Sequence, residues 1–239
     1  MKTATKIVSK LLAATLALTL GAAALTSCGS GASYTDGNTE YFIGATGPLT
    51  GDASSYGISV EKGAELAVEE INAQGGLNGV TFHFEMLDDG ATADKAATAY
   101  TTLYEKGMQI SIGSVTSGSC ASFAASSKDD KVLFMTPSAS AADVIAGSDY
   151  GCRVCFGDPQ QGTIAADTLT KDYSKIGVIY DTSDTYSSGI YNAFEAEMTL
   201  LGKKSGTDYV VYTFNKENNK DFSTQVDGLS AEGCEVIFL

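Results

Sequence analysis

The 239-residue chain reads as an α/β protein of two lobes, each built on a parallel β-sheet. Three observations predict this class. From Tyr41 onward, short apolar runs alternate with segments of helical period, the pattern of right-handed βαβ units. The alternation runs twice, and its two series meet at Phe156–Pro159. The 26 glycines against three prolines suit many tight βα turns.

The elements follow in order. Tyr41–Thr46 reads as a strand. Ser55–Gln74 reads as a helix whose apolar stripe is Ile58, Ala64, Ala67, Val68 and Ile71, ended by Gly75-Gly76. Thr81–Leu87 is a strand, Thr92–Lys106 a helix ended by Gly107, and Gln109–Ile112 a strand. Then come a helix over Ser119–Asp129 and strands over Val132–Met135 and around Arg153–Phe156. Beyond Gly157-Asp158-Pro159, helices at Gln161–Lys171, Tyr186–Leu201 and Asp221–Ala231 alternate with strands at Lys175–Tyr180, Tyr209–Phe214 and Glu235–Leu239. Two Rossmann-like lobes result, 41–156 and 157–239.

Residues 1–27 are read as a secretory leader. Met1 to Lys10 carries three lysines and no acid, and an apolar stretch follows from Leu11 to Leu25. That stretch is short for a spanning helix, which needs roughly 20 apolar residues. Leu25-Thr26-Ser27-Cys28 resembles the lipobox of bacterial lipoproteins, in which the cysteine thiol is acylated. The expectation is an extracytoplasmic protein anchored to the cell membrane through Cys28. Residues 28–40, rich in Gly, Ser, Thr, Asn and Asp, read as a flexible tether.

Removing 1–27 takes away three of the 15 basic residues and none of the 29 acidic ones, leaving a net charge of −17. Such a surface repels nucleic acid and anionic headgroups, so no nucleic-acid partner is expected. Four cysteines follow Cys28: Cys120, Cys152, Cys155 and Cys234. Cys152-Arg153-Val154-Cys155 has CxxC spacing, but the segment reads as a strand, where residues three apart face opposite ways. The sole histidine, His83, sits in a strand, so no metal site is expected. No GxSxG, GxxxxGK[ST] or GxGxxG is present. Neither catalytic residues nor a cofactor are expected.

In parallel sheets a ligand sits at the carboxyl ends of the strands, so the loops after each strand carry the site. Three are rich in hydroxyls: Gly113–Cys120, Thr136-Pro137-Ser138-Ala139-Ser140, and Asp181–Gly189. Hydroxyls beside helix N-termini hold a small anion. The first two lack Lys and Arg, which favours a carboxylate over a phosphate.

These residues resemble the type I periplasmic binding proteins, specifically the leucine/isoleucine/valine-binding branch that serves ABC transporters. The segments that carry the likeness are Ile43–Gly51, Tyr56-Gly57, Ile71-Asn72-Ala73-Gln74-Gly75-Gly76-Leu77-Asn78-Gly79, Asp88-Asp89, Ile112-Gly113-Ser114, Thr136–Ser140, Arg153 with Phe156 and Asp158, Gln161-Gly162, Asp181 with Tyr186 and Gly189, and Asp221–Ser223. The resemblance implies a non-enzymatic receptor that takes a small amino acid, branched-chain first among candidates, and delivers it to an ABC permease. A sensory receptor of the same fold is the alternative. The ligand-binding set it implies is Tyr56, Ser117, Ser138, Ala139, Ser140 and Tyr186. Ser117 and Ser140 would donate to the ligand carboxylate, with backbone help at Ser138 and Ser140. The Ser138 carbonyl would accept from the ammonium. Tyr56 would cover the ligand side chain, and Tyr186 would close from the second lobe. Ala91 and Thr116 stand where some relatives have a disulfide, so that bridge is not expected. Family members run on for roughly another hundred residues, in keeping with two full lobes. The second lobe is therefore expected to be truncated at the C-terminus, with the acidic partner of the ammonium beyond Leu239.

Overall fold

The computed structural model describes residue 37 and residues 39–239. The leader, Cys28 and most of the 28–40 tether lie outside the described residues. The first sheet has five strands: β1 (Glu40–Gly47), β2 (Thr81–Asp88), β3 (Ile110–Ser114), β4 (Leu133–Thr136) and β5 (Gly151–Arg153). Their order is β2-β1-β3-β4-β5, and every pairing is parallel. Helices α1 (Ser54–Ala73), α2 (Ala93–Glu105) and α3 (Ser117–Asp130) connect them, and a 3₁₀ turn at Ala142–Val144 precedes β5. The second sheet consists of β6 (Ile176–Asp181), β7 (Tyr209–Phe214) and β8 (Val236–Phe238) in the parallel order β7-β6-β8. Helices α4 (Asp158–Asp172), α5 (Thr185–Leu200) and α6 (Ser223–Ala231) accompany it. The α/β class and the parallel pairing are as expected.

Apolar residues facing one another explain each layer. Tyr100 of α2, Phe123 of α3 and Phe134 of β4 stack edge to face at 4.9 and 5.7 Å, all three buried where the helices meet the first sheet. In the second lobe Ile176, Val178, Phe194, Met198 and Tyr209 form the core. Gly162 lets α4 and α5 touch: a Cβ there would stand 2.3 Å from the Ile190 carbonyl oxygen.

Three expectations need correction. The inward face of α1 is Gly57, Val60, Ala64, Val68 and Asn72, whereas Ile58, Ala67 and Ile71 face outward. A Cβ at Gly57 would meet the Pro48 oxygen at 2.0 Å, so the smallest residue sets the contact face. Asn72 then pins the helix to β2, donating to the Phe82 carbonyl at 2.7 Å and accepting from the Phe82 N–H at 2.9 Å. The strand expected at Arg153–Phe156 lies earlier, over Gly151–Arg153. Val154 and Phe156 are 67% and 60% exposed, apolar in type but not in the sheet. Cys155 therefore lies beyond the strand, so strand alternation does not describe the CxxC segment. The next helix begins at Asp158 rather than Gln161, with Pro159 in its first turn.

A bulge shapes the end of β3. Gly44 pairs with Ser111 but Ala45 pairs with Gly113, which leaves Ile112 as the extra residue. Gly113 adopts φ +73°, a conformation that favours glycine. The Ser111 hydroxyl fills the gap, donating to the Gly44 carbonyl and accepting from the Gly113 N–H, both at 2.7 Å. Gly113 and Ser114 thus belong to the strand, and the loop that bears Ser117 starts one step later.

Candidate functional site

Tyr56, Ser117 and the Ser138–Ser140 loop follow the carboxyl ends of β1, β3 and β4, and Tyr186 follows β6 of the second sheet. Ser117 opens α3 and is 4% exposed. Its Oγ accepts from the N–H groups of Ser140 and Ala141, each at 3.2 Å. A hydroxyl has one donor and two acceptor lone pairs. With both lone pairs engaged, the proton is what Ser117 has left to offer, so the group is a preset donor. Thr116, the N-cap of α3, makes no side-chain capping bond, and the first turn carries no acid. The Thr116 and Ser119 hydroxyls are buried without partners. The helix end thus presents its N–H groups and positive dipole without an internal anion to occupy them.

The 136–141 loop is held from several sides. Ser138 Oγ donates to the Val115 carbonyl at 2.7 Å, and the Ala139 N–H donates to Thr136 Oγ1 at 3.1 Å. Arg153 Nη1 donates to the Ser140 and Ala141 carbonyls, each at 2.8 Å. The Asp158 N–H reaches the Ser140 carbonyl at 2.9 Å. Ser140 itself is 3% exposed. Three consecutive N–H groups, of Ala139, Ser140 and Ala141, are thereby given to hydroxyls rather than to backbone.

Tyr56 and Tyr186 come from α1 and α5. Tyr56 lies in the first turn of α1 and is 67% exposed. Tyr186 opens α5, and its hydroxyl donates to Gln161 Oε1 at 3.4 Å. Burial raises the Tyr186 phenol above its ordinary pKa, and Asp158 and Tyr56 add to that rise. Gly118 of α3 and Thr185 of α5 approach closely, a Cβ at Gly118 standing 3.8 Å from Thr185 Oγ1.

Asp158 was read from sequence as part of the turn between the series and of the family likeness, without a role in the site. Asp158 is fully buried, and neither carboxylate oxygen receives a hydrogen bond of good geometry. Burial raises its pKa, the adjacent Ser140 hydroxyl and Arg153 oppose that rise, and Asp184 and Asp143 reinforce it. Gln161 Nε2, one turn on, is also buried and unpartnered. A buried acceptor beside a buried donor and a tyrosine suits a polar, charged ligand end. The signal in the sequence was the position of Asp158, in the first turn of a helix that follows a strand. A hollow of 290 Å³ lined by Glu40, Phe42, His83, Glu85, Lys106 and Gln109 lies towards the opposite, N-terminal end of β1 and shares none of these residues.

The periplasmic binding protein family model matches residues 40–239. The chain belongs to that family. The Leu/Ile/Val-binding protein homolog 3 of Brucella melitensis is 33% identical over 199 residues, covering 82% of this chain and 53% of the relative. The leucine binding protein LivK of Thermotoga maritima is similar in structure, with a TM-score of 0.74 at 27% identity, covering 82% of this chain and 55% of that one. LivJ of Streptococcus pneumoniae, solved with isoleucine, gives a TM-score of 0.74 at 26% identity over 83% of this chain and 56% of its own. The chain therefore spans about half the length of the relatives it matches. These relatives place it in the leucine/isoleucine/valine-binding branch of the type I periplasmic binding proteins, whose fold of two α/β lobes matches the two sheets.

Proposed function

We propose that this periplasmic binding protein is an extracytoplasmic solute receptor without enzymatic activity. It takes a small amino acid, branched-chain first among candidates, between lobes 41–156 and 157–239 and presents it to an ABC permease. Ser117 carries the reading. Its lone pairs are spent on the Ser140 and Ala141 N–H groups, and its proton remains for an anion beside the open end of α3. Ser140 adds a second hydroxyl, while Ser138 and Ala139 shape the loop. The names of the Brucella relative and of LivJ with isoleucine support an amino acid as the ligand.

Within this chain Asp158 supplies the opposite pole, in addition to the acidic partner that the resemblance puts beyond Leu239. A buried carboxylate whose oxygens receive no hydrogen bond of good geometry is a group an ammonium would satisfy, and Ser140 and Tyr186 flank it. Tyr56 and Tyr186 cover the side chain, one from each lobe. Residues 1–27 act as the leader, 28–40 as the tether, and acylated Cys28 as the membrane anchor.

The test is calorimetric titration of the full chain with leucine, isoleucine and valine, the ligand being recovered afterwards. Saturable one-site binding and recovery of unchanged ligand are expected. Absence of binding to all three, or conversion of the ligand, would overturn the reading.

A further inference from the structure

A line of hydrogen bonds runs beneath the site from a second buried carboxylate. Asp89 follows β2 and is fully buried. It accepts from the Ala91 N–H at 2.9 Å and from the Ser114 hydroxyl at 2.8 Å. Its own N–H donates to the Gly47 carbonyl at 2.9 Å, which ties it to the end of β1. The Thr46 hydroxyl lies beside it, buried and without a hydrogen bond of good geometry. The Ser114 carbonyl accepts from Thr136 Oγ1 at 2.7 Å, and Thr136 Oγ1 accepts from the Ala139 N–H at 3.1 Å. The line crosses from the end of β2 through β3 and β4 and ends in the loop that holds Ser138, Ala139 and Ser140.

We infer that Asp89 is a positioning residue for this site: through Ser114 and Thr136 it fixes the 136–141 loop in the geometry that presents Ser140 to the ligand. This rests on the proposed ligand loop and deepens it. Two properties favour a directed role over generic core packing. Ser114 is held at both ends, by its hydroxyl on Asp89 and by its carbonyl under Thr136, so rotation of its hydroxyl is removed. Ser114 also follows Gly113, whose positive φ makes the bulge that turns the β3 end. Without a carboxylate at position 89, a buried Ser114 hydroxyl and the Ala91 N–H both lose their acceptor. Such losses are expensive enough to be relieved by movement of the strand end. A carboxylate in place keeps β3 and β4 in one arrangement before any ligand arrives.

The experiment measures amide hydrogen exchange residue by residue in the unliganded full chain, with leucine affinity read separately. In Asp89→Ala the amides of Ala139, Ser140 and Ala141 should exchange about tenfold faster or more, the scale set by loss of a hydrogen bond to a charged group. The β6 and β7 amides should keep their wild-type rates. Asp89→Asn, which retains one acceptor oxygen, should restore part of the protection. Thr136→Val, which keeps the shape and removes the hydroxyl, tests the other end of the line and should expose the Ala139 amide even if Asp89→Ala does not fold. Unchanged loop exchange in folded Asp89→Ala or in Thr136→Val overturns the inference. Equal acceleration in both sheets also overturns it, since that marks general loss of stability. Failure of the wild type to bind leucine would strike the proposed ligand and leave the exchange result intact.

Discussion

Ser117 and Ser140 differ in how they are prepared. Ser117 has a proton to give and no free lone pair, whereas Ser140 lies against the Asp158 carboxylate. Hydrogen bonds to charged groups contribute about 1.5–3 kcal/mol, and each 1.4 kcal/mol is about tenfold in affinity. Ser117→Ala and Ser140→Ala should each weaken leucine binding by roughly ten- to a hundredfold in calorimetric titration. Ser126→Ala, late in α3, should bind as wild type. Asp158 adds a pH signature. Its folded pKa is raised by burial, so its ionised form costs stability above that pKa, and the cost is relieved as pH falls through it. Ligand binding runs the opposite way, because the carboxylate must be ionised to meet an ammonium. Arg153, Asp184 and Asp143 set the field around it. Leucine affinity should fall on acidification, beginning above the ordinary aspartate pKa of ~3.9. Asp158→Asn should bind weakly with a flat profile. Parallel profiles in wild type and variant would remove Asp158 from the ammonium's place.

At the scale of elements, backbone proximity decides what the side-chain pattern leaves open. A Cβ at Gly162 would lie 2.3 Å from the Ile190 oxygen and 2.6 Å from the Phe194 nitrogen, both backbone atoms that cannot rotate away. Gly162→Ala should therefore separate α4 from α5 and destabilise the fold by roughly 1–3 kcal/mol in urea unfolding, the cost of overpacking. No loss of stability would mean that the helices slide freely. The same reasoning marks which elements were legible. Strand β1 was expected at Tyr41–Thr46 and is found at Glu40–Gly47, because a buried parallel strand is apolar along its length and ends at glycine. Strand β5 was displaced because Val154 and Phe156 look like sheet residues, and composition does not distinguish a strand from the exposed chain that leaves it. Helix α1 has more apolar positions than one face holds, and Gly57 rather than an isoleucine chose the face. The bulge at Ile112–Gly113 left no mark that separates it from a turn. Among the candidate site residues, the hydroxyl loops were readable since each follows a strand. The line from Asp89 to Ala139 was not, because its bonds join residues far apart in the chain through registers that only the folded sheet defines.

For the whole molecule, charge and attachment have to agree. The segment after residue 27 carries a net charge of −17, so it gains nothing electrostatically from an anionic membrane surface. Among the described residues no helix is long and apolar enough to cross a membrane. The attachment proposed above is a covalent lipid on Cys28. Each buried methylene of an acyl chain contributes ~0.8 kcal/mol, and a single chain binds only marginally, so two or more chains are required for a stable anchor. Two consequences distinguish this anchor from adsorption. A wash in about 1 M salt, which shortens the screening length to roughly 3 Å, should leave the wild type in the membrane fraction, since no charge attraction is there to screen. Cys28→Ala should move to the soluble fraction, fail to take up a fatty-acid analogue, and still bind leucine with wild-type affinity, because the site begins at Tyr56. Release of the wild type by salt, or equal fatty-acid labelling of both proteins, would show that Cys28 is not the anchor.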